Sequence, residues 1–128
     1  MKEDKRLPLA HIYEALAYSQ IKNYHKSDEI FDKVKSEKLS KDHEKLLSIY
    51  YAESLLDQGK KEASVKELDR AFELNGNRKL KSRIAYLRGQ VLQELGKSEL
   101  ARESFVSAYK YANDFEFEVK SQIEIAKT

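Results

Sequence analysis

KKEASVKELDRA (60–71) returns 37 residues later as KSELARESFVSA (97–108) and is preceded at the same distance by NYHKSDEIFDKV (23–34). The three stretches align without a gap. Ser27, Ser64 and Ala101 form a small column, Phe31, Leu68 and Phe105 a large apolar column, and Val34, Ala71 and Ala108 a third. Upstream, Ala15, Ala52 and Gly89 share a column, as do Tyr18, Leu55 and Leu92. Self-similarity at one period marks a chain built from stacked supersecondary units, each too small to bury its apolar face alone.

The spacing within each copy is helical. Ala15, Tyr18 and Ile21, then Ser27, Phe31 and Val34, follow the i, i+3, i+4, i+7 rule of one helix face. Gly59 and Gly96 stand where a short turn between two helices tolerates positive φ best, with Lys22 at the matching place in the first copy, the weakest of the three turns. Ser40 and the Asn75-Gly76-Asn77 stretch punctuate the copies, and Pro8 suits the first turn of a helix. The pattern predicts helices over 8–21, 24–37, 41–57, 60–74, 79–95, 98–112 and 114–127. The small columns let paired antiparallel helices approach closely. Phe31, Leu68 and Phe105 are expected to fill the space between one pair and the next.

Composition agrees. The 128 residues are 41% hydrophobic and 36% charged with only four Gly and one Pro, too few turn signals for a sandwich or barrel of short strands. Without Cys this segment holds no disulfide, thiolate zinc site or cysteine nucleophile. The net charge of +2 supplies no global field toward nucleic acid or an anionic membrane, and no run of about 18 apolar residues is present to insert into one. The opening MKEDKRLPLAH lacks the apolar stretch of a secretory leader.

No catalytic pattern emerges. His11, His25 and His43 are too far apart for i, i+4 metal ligation. Gly96-Lys97-Ser98 resembles the end of a phosphate loop, but Val91 stands at the first glycine position and a helix precedes it. Serines form no nucleophile elbow, and carboxylates alternate with lysines as on solvated helix faces. The segment is read as non-enzymatic, with no cofactor and no metal. The densest basic run, Asn77-Arg78-Lys79-Leu80-Lys81-Ser82-Arg83 with Arg88 beyond it, admits a phosphate or acidic partner, or is simply a basic loop opening a helix. It has no interleaved aromatics, which makes nucleic acid the weaker option.

Paired small and aromatic residues in a first helix, a glycine turn, and Ala, large aromatic, Ala in a second resemble the tetratricopeptide repeat (TPR) family over 8–118. The chain adds three residues to that family's 34-residue unit and has His11, Ser48 and Ala85 where its early Trp is usual. The resemblance implies an all-α, right-handed solenoid of three hairpins (8–44, 45–81, 82–118) plus a half repeat (119–128), forming a single domain over 1–128. The last helix is expected to turn Phe115, Val119, Ile123 and Ala126 toward the third pair, as though the segment were cut from a longer array. The implied function is protein or peptide binding in a concave groove. The family's groove positions fall on Leu9, Ile12, Leu16, Leu46, Ile49, Glu53 and Leu56, and on Arg83, Tyr86 and Gln90. The apolar part is either a binding patch or the seat of missing neighbours. Ile12, Leu16 and Tyr50 stand where a carboxylate clamp needs basic and amide groups.

A narrower likeness exists. Arg83–Leu87, Gln90–Gly96, Asp114–Ile123 and the opening His11–Tyr18 are similar to the TPR lipoproteins of gliding motility and type IX secretion, the SprE/PorW family, with Asn113-Asp114 in place of that family's proline and Val119 in place of its phenylalanine. It implies a scaffold contacting other components of that machinery, in the periplasm on the outer membrane, through a lipid anchor upstream of this segment. The alternative is a peptide-binding regulatory or sensor domain of a larger cytoplasmic protein.

Overall fold

The computed structural model describes residues 7–128; the charged opening Met1–Arg6 lies outside the described residues. The chain is all-α. Seven helices follow one another, α1 (Leu7–Gln20), α2 (Tyr24–Lys35), α3 (Lys41–Asp57), α4 (Lys61–Leu74), α5 (Arg78–Glu94), α6 (Ser98–Tyr111) and α7 (Phe115–Lys127). Their bounds lie within two residues of those the periodicity predicts. Packing gathers the chain into two compact units, one up to Glu67 and one from Leu68 onward, so that the division falls within α4.

Caps and turns explain the boundaries. Asn23, Ser40, Asn77 and Asp114 each precede a helix and accept a hydrogen bond from the N–H three residues on, at 3.4, 3.2, 3.1 and 2.9 Å respectively. The three turns inside the hairpins share one geometry. Lys22, Gly59 and Gly96 sit at φ of 64°, 77° and 76°. Each donates its N–H to the carbonyl three residues back, while the next residue reaches back five, as in Asn23 to Tyr18 (2.8 Å), Lys60 to Leu55 (2.9 Å) and Lys97 to Leu92 (2.9 Å). Lys22 therefore makes the same turn as the glycines, with a Cβ that this backbone region disfavours.

In the first unit the core joins Ile12 and Ala15 of α1, Phe31 and Val34 of α2, and Leu47, Tyr51 and Leu55 of α3. Phe31 stacks on Tyr51 with centroids 4.8 Å apart, so the large column does reach the next helical pair here. Several polar groups inside are matched, although the buried Ser48 hydroxyl has no hydrogen-bond partner. The Ser27 hydroxyl donates to the Ala15 carbonyl (2.8 Å), the Tyr51 hydroxyl to Asp32 (2.8 Å), and the Lys35 ammonium to the buried Glu67 carboxylate (2.9 Å).

The second unit is built round Phe105, which is fully buried. A Cβ on Gly89 would meet its ring at 2.7 Å, inside any real contact distance. The ring thus lies against bare backbone of α5, in its own hairpin. Tyr86 meets Phe105 edge-on at 5.5 Å, and the Ser82 hydroxyl donates to the Ala108 carbonyl (2.7 Å), tying α5 to α6 along its length.

The face of α7 differs from the one expected. Phe115 is 79% exposed, Ile123 50% exposed, and Ala126 is also exposed. Ser121 is buried instead, with Phe117, Glu124 and Ile125 half-buried. Val119 alone of the expected four is half-buried. The reason lies in the register: Val119, Ile123 and Ala126 stand 37 residues after Ser82, Tyr86 and Gly89, the residues through which α5 meets α6. α7 turns back instead through the column of Ile84, which is Ser121, and sets Phe117 edge-on against Tyr86 at 5.8 Å.

Two outcomes test this architecture. Lys22→Gly relieves the left-handed backbone and is expected to raise stability in chemical denaturation by about 0.5–1 kcal/mol after the added freedom of the unfolded chain is subtracted. Phe105→Ala opens a cavity against Gly89 and is expected to lower it by about 3–5 kcal/mol; an unchanged midpoint would contradict the packing.

Candidate partner-binding surface

The first helix of each hairpin carries the residues at issue, and the two units present them differently. In the first unit Leu9, Tyr13 and Leu16 lie along one side of α1, at spacings of four and three, and Leu46, Ile49, Tyr50, Glu53 and Leu56 along one side of α3. Leu9, Leu16, Leu46, Ile49 and Leu56 are all half-buried, so each keeps apolar surface in water. Ile12 does not. It is wholly buried with Leu47, Tyr51 and Phe31, and offers nothing to a partner. Ile12 and Tyr86, from one column, each face a neighbouring helix: α1 packs on α3, and Tyr86 is held against Phe117 of α7.

Two residues that the groove positions leave out belong to this row. Tyr13 is 48% exposed and its ring lies 6.1 Å from that of Tyr50, tilted by 50°. Burial, then Tyr13 and Glu53, push the Tyr50 hydroxyl above its usual value, so it stays neutral and available as a hydrogen-bond donor or acceptor. A sequence signal for the pair exists, since Tyr13, Tyr50 and Leu87 form one more 37-residue column.

Glu53 carries the charge of this row. Partial desolvation of its carboxyl, on a residue that is exposed overall, reinforced by repulsion from Asp57 one turn on, raises its pKa above the ordinary 4.5. A carboxylate so placed beside aliphatic side chains favours the approach of a cation. The same shift has a consequence for stability. Below pH 4.5 the group is protonated folded and unfolded alike; as the pH rises through the raised folded value, the fold must hold a charge its surroundings oppose, and stability is lost. Glu53→Gln is expected to melt at a higher temperature than the parent at neutral pH, with the difference closing below pH 4.5; a difference independent of pH would contradict the assignment.

In the second unit the row is polar. Arg83 and Gln90 are exposed, and Tyr86 is half-buried with its hydroxyl raised in pKa, chiefly by burial and then by Glu124. The Arg83 guanidinium lies over the Phe117 ring, 5.0 Å from its centroid. Aromatics also join the rest of the basic run, contrary to its local sequence, because other helices supply them. Lys81 lies 4.2 Å from the Phe72 centroid, and Tyr111 receives Arg78, Lys81 and Lys110. Arg88 is not part of this group. Its guanidinium donates to Asp69 and to the Ser104 hydroxyl, bridging α4, α5 and α6 on one wall of a cavity of about 410 Å³.

Residues 82–115 match the family model of the tetratricopeptide repeat. No curated protein and no solved structure matches the chain. The matched stretch holds most of α5 and all of α6, the hairpin in which Phe105 rests on Gly89. That hairpin is similar to a tetratricopeptide repeat, and the return of its columns every 37 residues makes the protein an all-α chain of TPR-like hairpins, an architecture common among protein-interaction scaffolds.

Proposed function

We propose that the protein is a non-enzymatic interaction module that holds a partner segment along the first-helix faces of its hairpins. The observation that carries this reading is the row on α1 and α3, in which aliphatic residues and the Tyr13–Tyr50 pair keep surface in water around one carboxylate of raised pKa. A partner that fits it has apolar side chains at helical or extended spacing and a basic group for Glu53. On unit two, Arg83 and Gln90 offer polar contacts of the kind that select a partner more than they hold it.

The finer part of the proposal is that the module belongs to a lipoprotein of the type IX secretion and gliding machinery, anchored to the periplasmic side of the outer membrane. What supports it is the likeness of His11–Tyr18, Arg83–Leu87, Gln90–Gly96 and Asp114–Ile123 to that family.

One capture experiment tests both parts. The immobilised chain is expected to retain secretion-machinery components from a solubilised envelope of a gliding bacterium, and Ile49→Asp and Glu53→Lys to lose them with unchanged far-UV circular dichroism. Retention that neither substitution alters overturns the first-helix surface. Retention of proteins unrelated to the machinery overturns the placement.

A further inference from the structure

The basic run at the start of α5 breaks a local rule. The N-terminus of a helix favours acidic side chains, yet the first turns of α5 carry Arg78, Lys79, Lys81 and Arg83 and no acid in the first turn. No ion pair with a carboxylate holds any of these four or Lys110 among the described residues. Tertiary contacts then concentrate the charge. Arg78, Lys81 and Lys110 converge on one ring, lying 5.2, 5.3 and 5.7 Å from the centroid of Tyr111. Arg78 also donates to the Lys110 carbonyl (2.6 Å), which locks the start of α5 to the end of α6. Three like charges round one ring repel one another, and the ring quadrupole offsets only part of that. Lys79 and Arg83, with Asn77 and Leu80, line a shallow, open hollow on the same stretch of chain.

We propose that this end of the second unit is a docking surface distinct from the apolar first-helix row of the first unit, sharing only Arg83 with the polar row of the second, and receiving an extended acidic segment of a partner protein. Carboxylates of that segment meet Arg78, Lys81 and Lys110 round Tyr111, and others along it reach Lys79 and Arg83 across the open hollow between them. The ring geometry discriminates against nucleic acid. Single strands are held by stacking bases on free aromatic faces, whereas Phe72, Tyr111 and Phe117 already have cations placed over them. Fixed cations set on neighbouring rings suit a chain of carboxylates, each of which gains a charge-assisted hydrogen bond.

Fluorescence anisotropy on the intact chain tests the proposal, with a fluorescein-labelled decapeptide of alternating glutamate and serine as probe. The parent is expected to bind it with an affinity that weakens as salt is added, as exposed charge contacts do. Lys79→Gln, Lys81→Gln and Lys110→Gln together are expected to weaken binding about tenfold or more, with an unchanged helical signal. Removing the same charge elsewhere, by Lys33→Gln, Lys38→Gln and Lys41→Gln, is expected to change it less than about twofold, which separates this surface from bulk charge. Absence of binding by the parent, or an equal loss in the two triple variants, overturns the proposal. So does tighter binding of oligothymidine or of phosphatidylserine vesicles than of the peptide.

Discussion

The close approach of two helices at a small residue is the constraint on which the rest depends. Phe105 can lie on α5 only because Gly89 has no Cβ to meet it at 2.7 Å. Packing of the ring directly on this bare backbone removes water from it and brings the two backbones near enough for Ser82 to reach the Ala108 carbonyl. In the first unit Ala15 holds the equivalent place, and the Ser27 hydroxyl crosses to its carbonyl. The turn has to deliver the second helix at the right height for this. A glycine or Lys22 in the left-handed region does so, returning the next small column after the same number of residues in each copy. Lys22 shows how strongly packing insists, since the hairpin forms there against the preference of a side-chain-bearing residue.

A first helix in such a hairpin meets a partner in its own pair and also the first helix of a neighbouring pair, so little of its circumference is left free. α3, which packs on α1 and α2, is similarly covered: Leu47, Ser48, Tyr51, Ala52, Ser54 and Leu55 are all buried, leaving the side of Leu46, Ile49, Tyr50, Glu53 and Leu56 to water. What remains is narrow and mixed in character. Aliphatic edges, a tyrosine pair and a carboxylate that resists ionisation make a surface with both apolar area and a directional charge. In the second unit the corresponding side is hydrophilic, and Tyr86 is drawn into contact with α7.

Charge follows a different logic from packing here. Within the units acids and bases pair across helices, as Lys60 does with Asp28 and Arg88 with Asp69. The start of α5 departs from this, gathering cations on aromatic rings contributed by α4, α6 and α7. Such a cluster works against the helix dipole and against itself. Protein folds hold arrangements of this kind where recognition, and not stability, sets the side chains.

Much of the fold was legible in the sequence because columns of small and large residues repeat at a fixed interval, and helix geometry converts that interval into alternating pairs. Asn23, Ser40, Asn77 and Asp114 likewise act through bonds three residues away, so local sequence suffices to end and begin helices. The surface was less legible. Apolar periodicity shows which residues prefer burial but not which neighbour covers them, and so it could not separate buried Ile12 from half-buried Ile49 in one column, or tell which face of α7 would turn inward. The rings that gather Arg78, Lys81 and Arg83 come from residues distant along the chain, Phe72, Tyr111 and Phe117, and no local window joins them. Helices, turns and hairpin pairing were thus determined by the sequence itself, because they rest on spacing along one chain direction. The exposed rows and the crowding of charge were decided only by tertiary structure, because both depend on which side chains from separate helices come to lie within a few ångströms of one another.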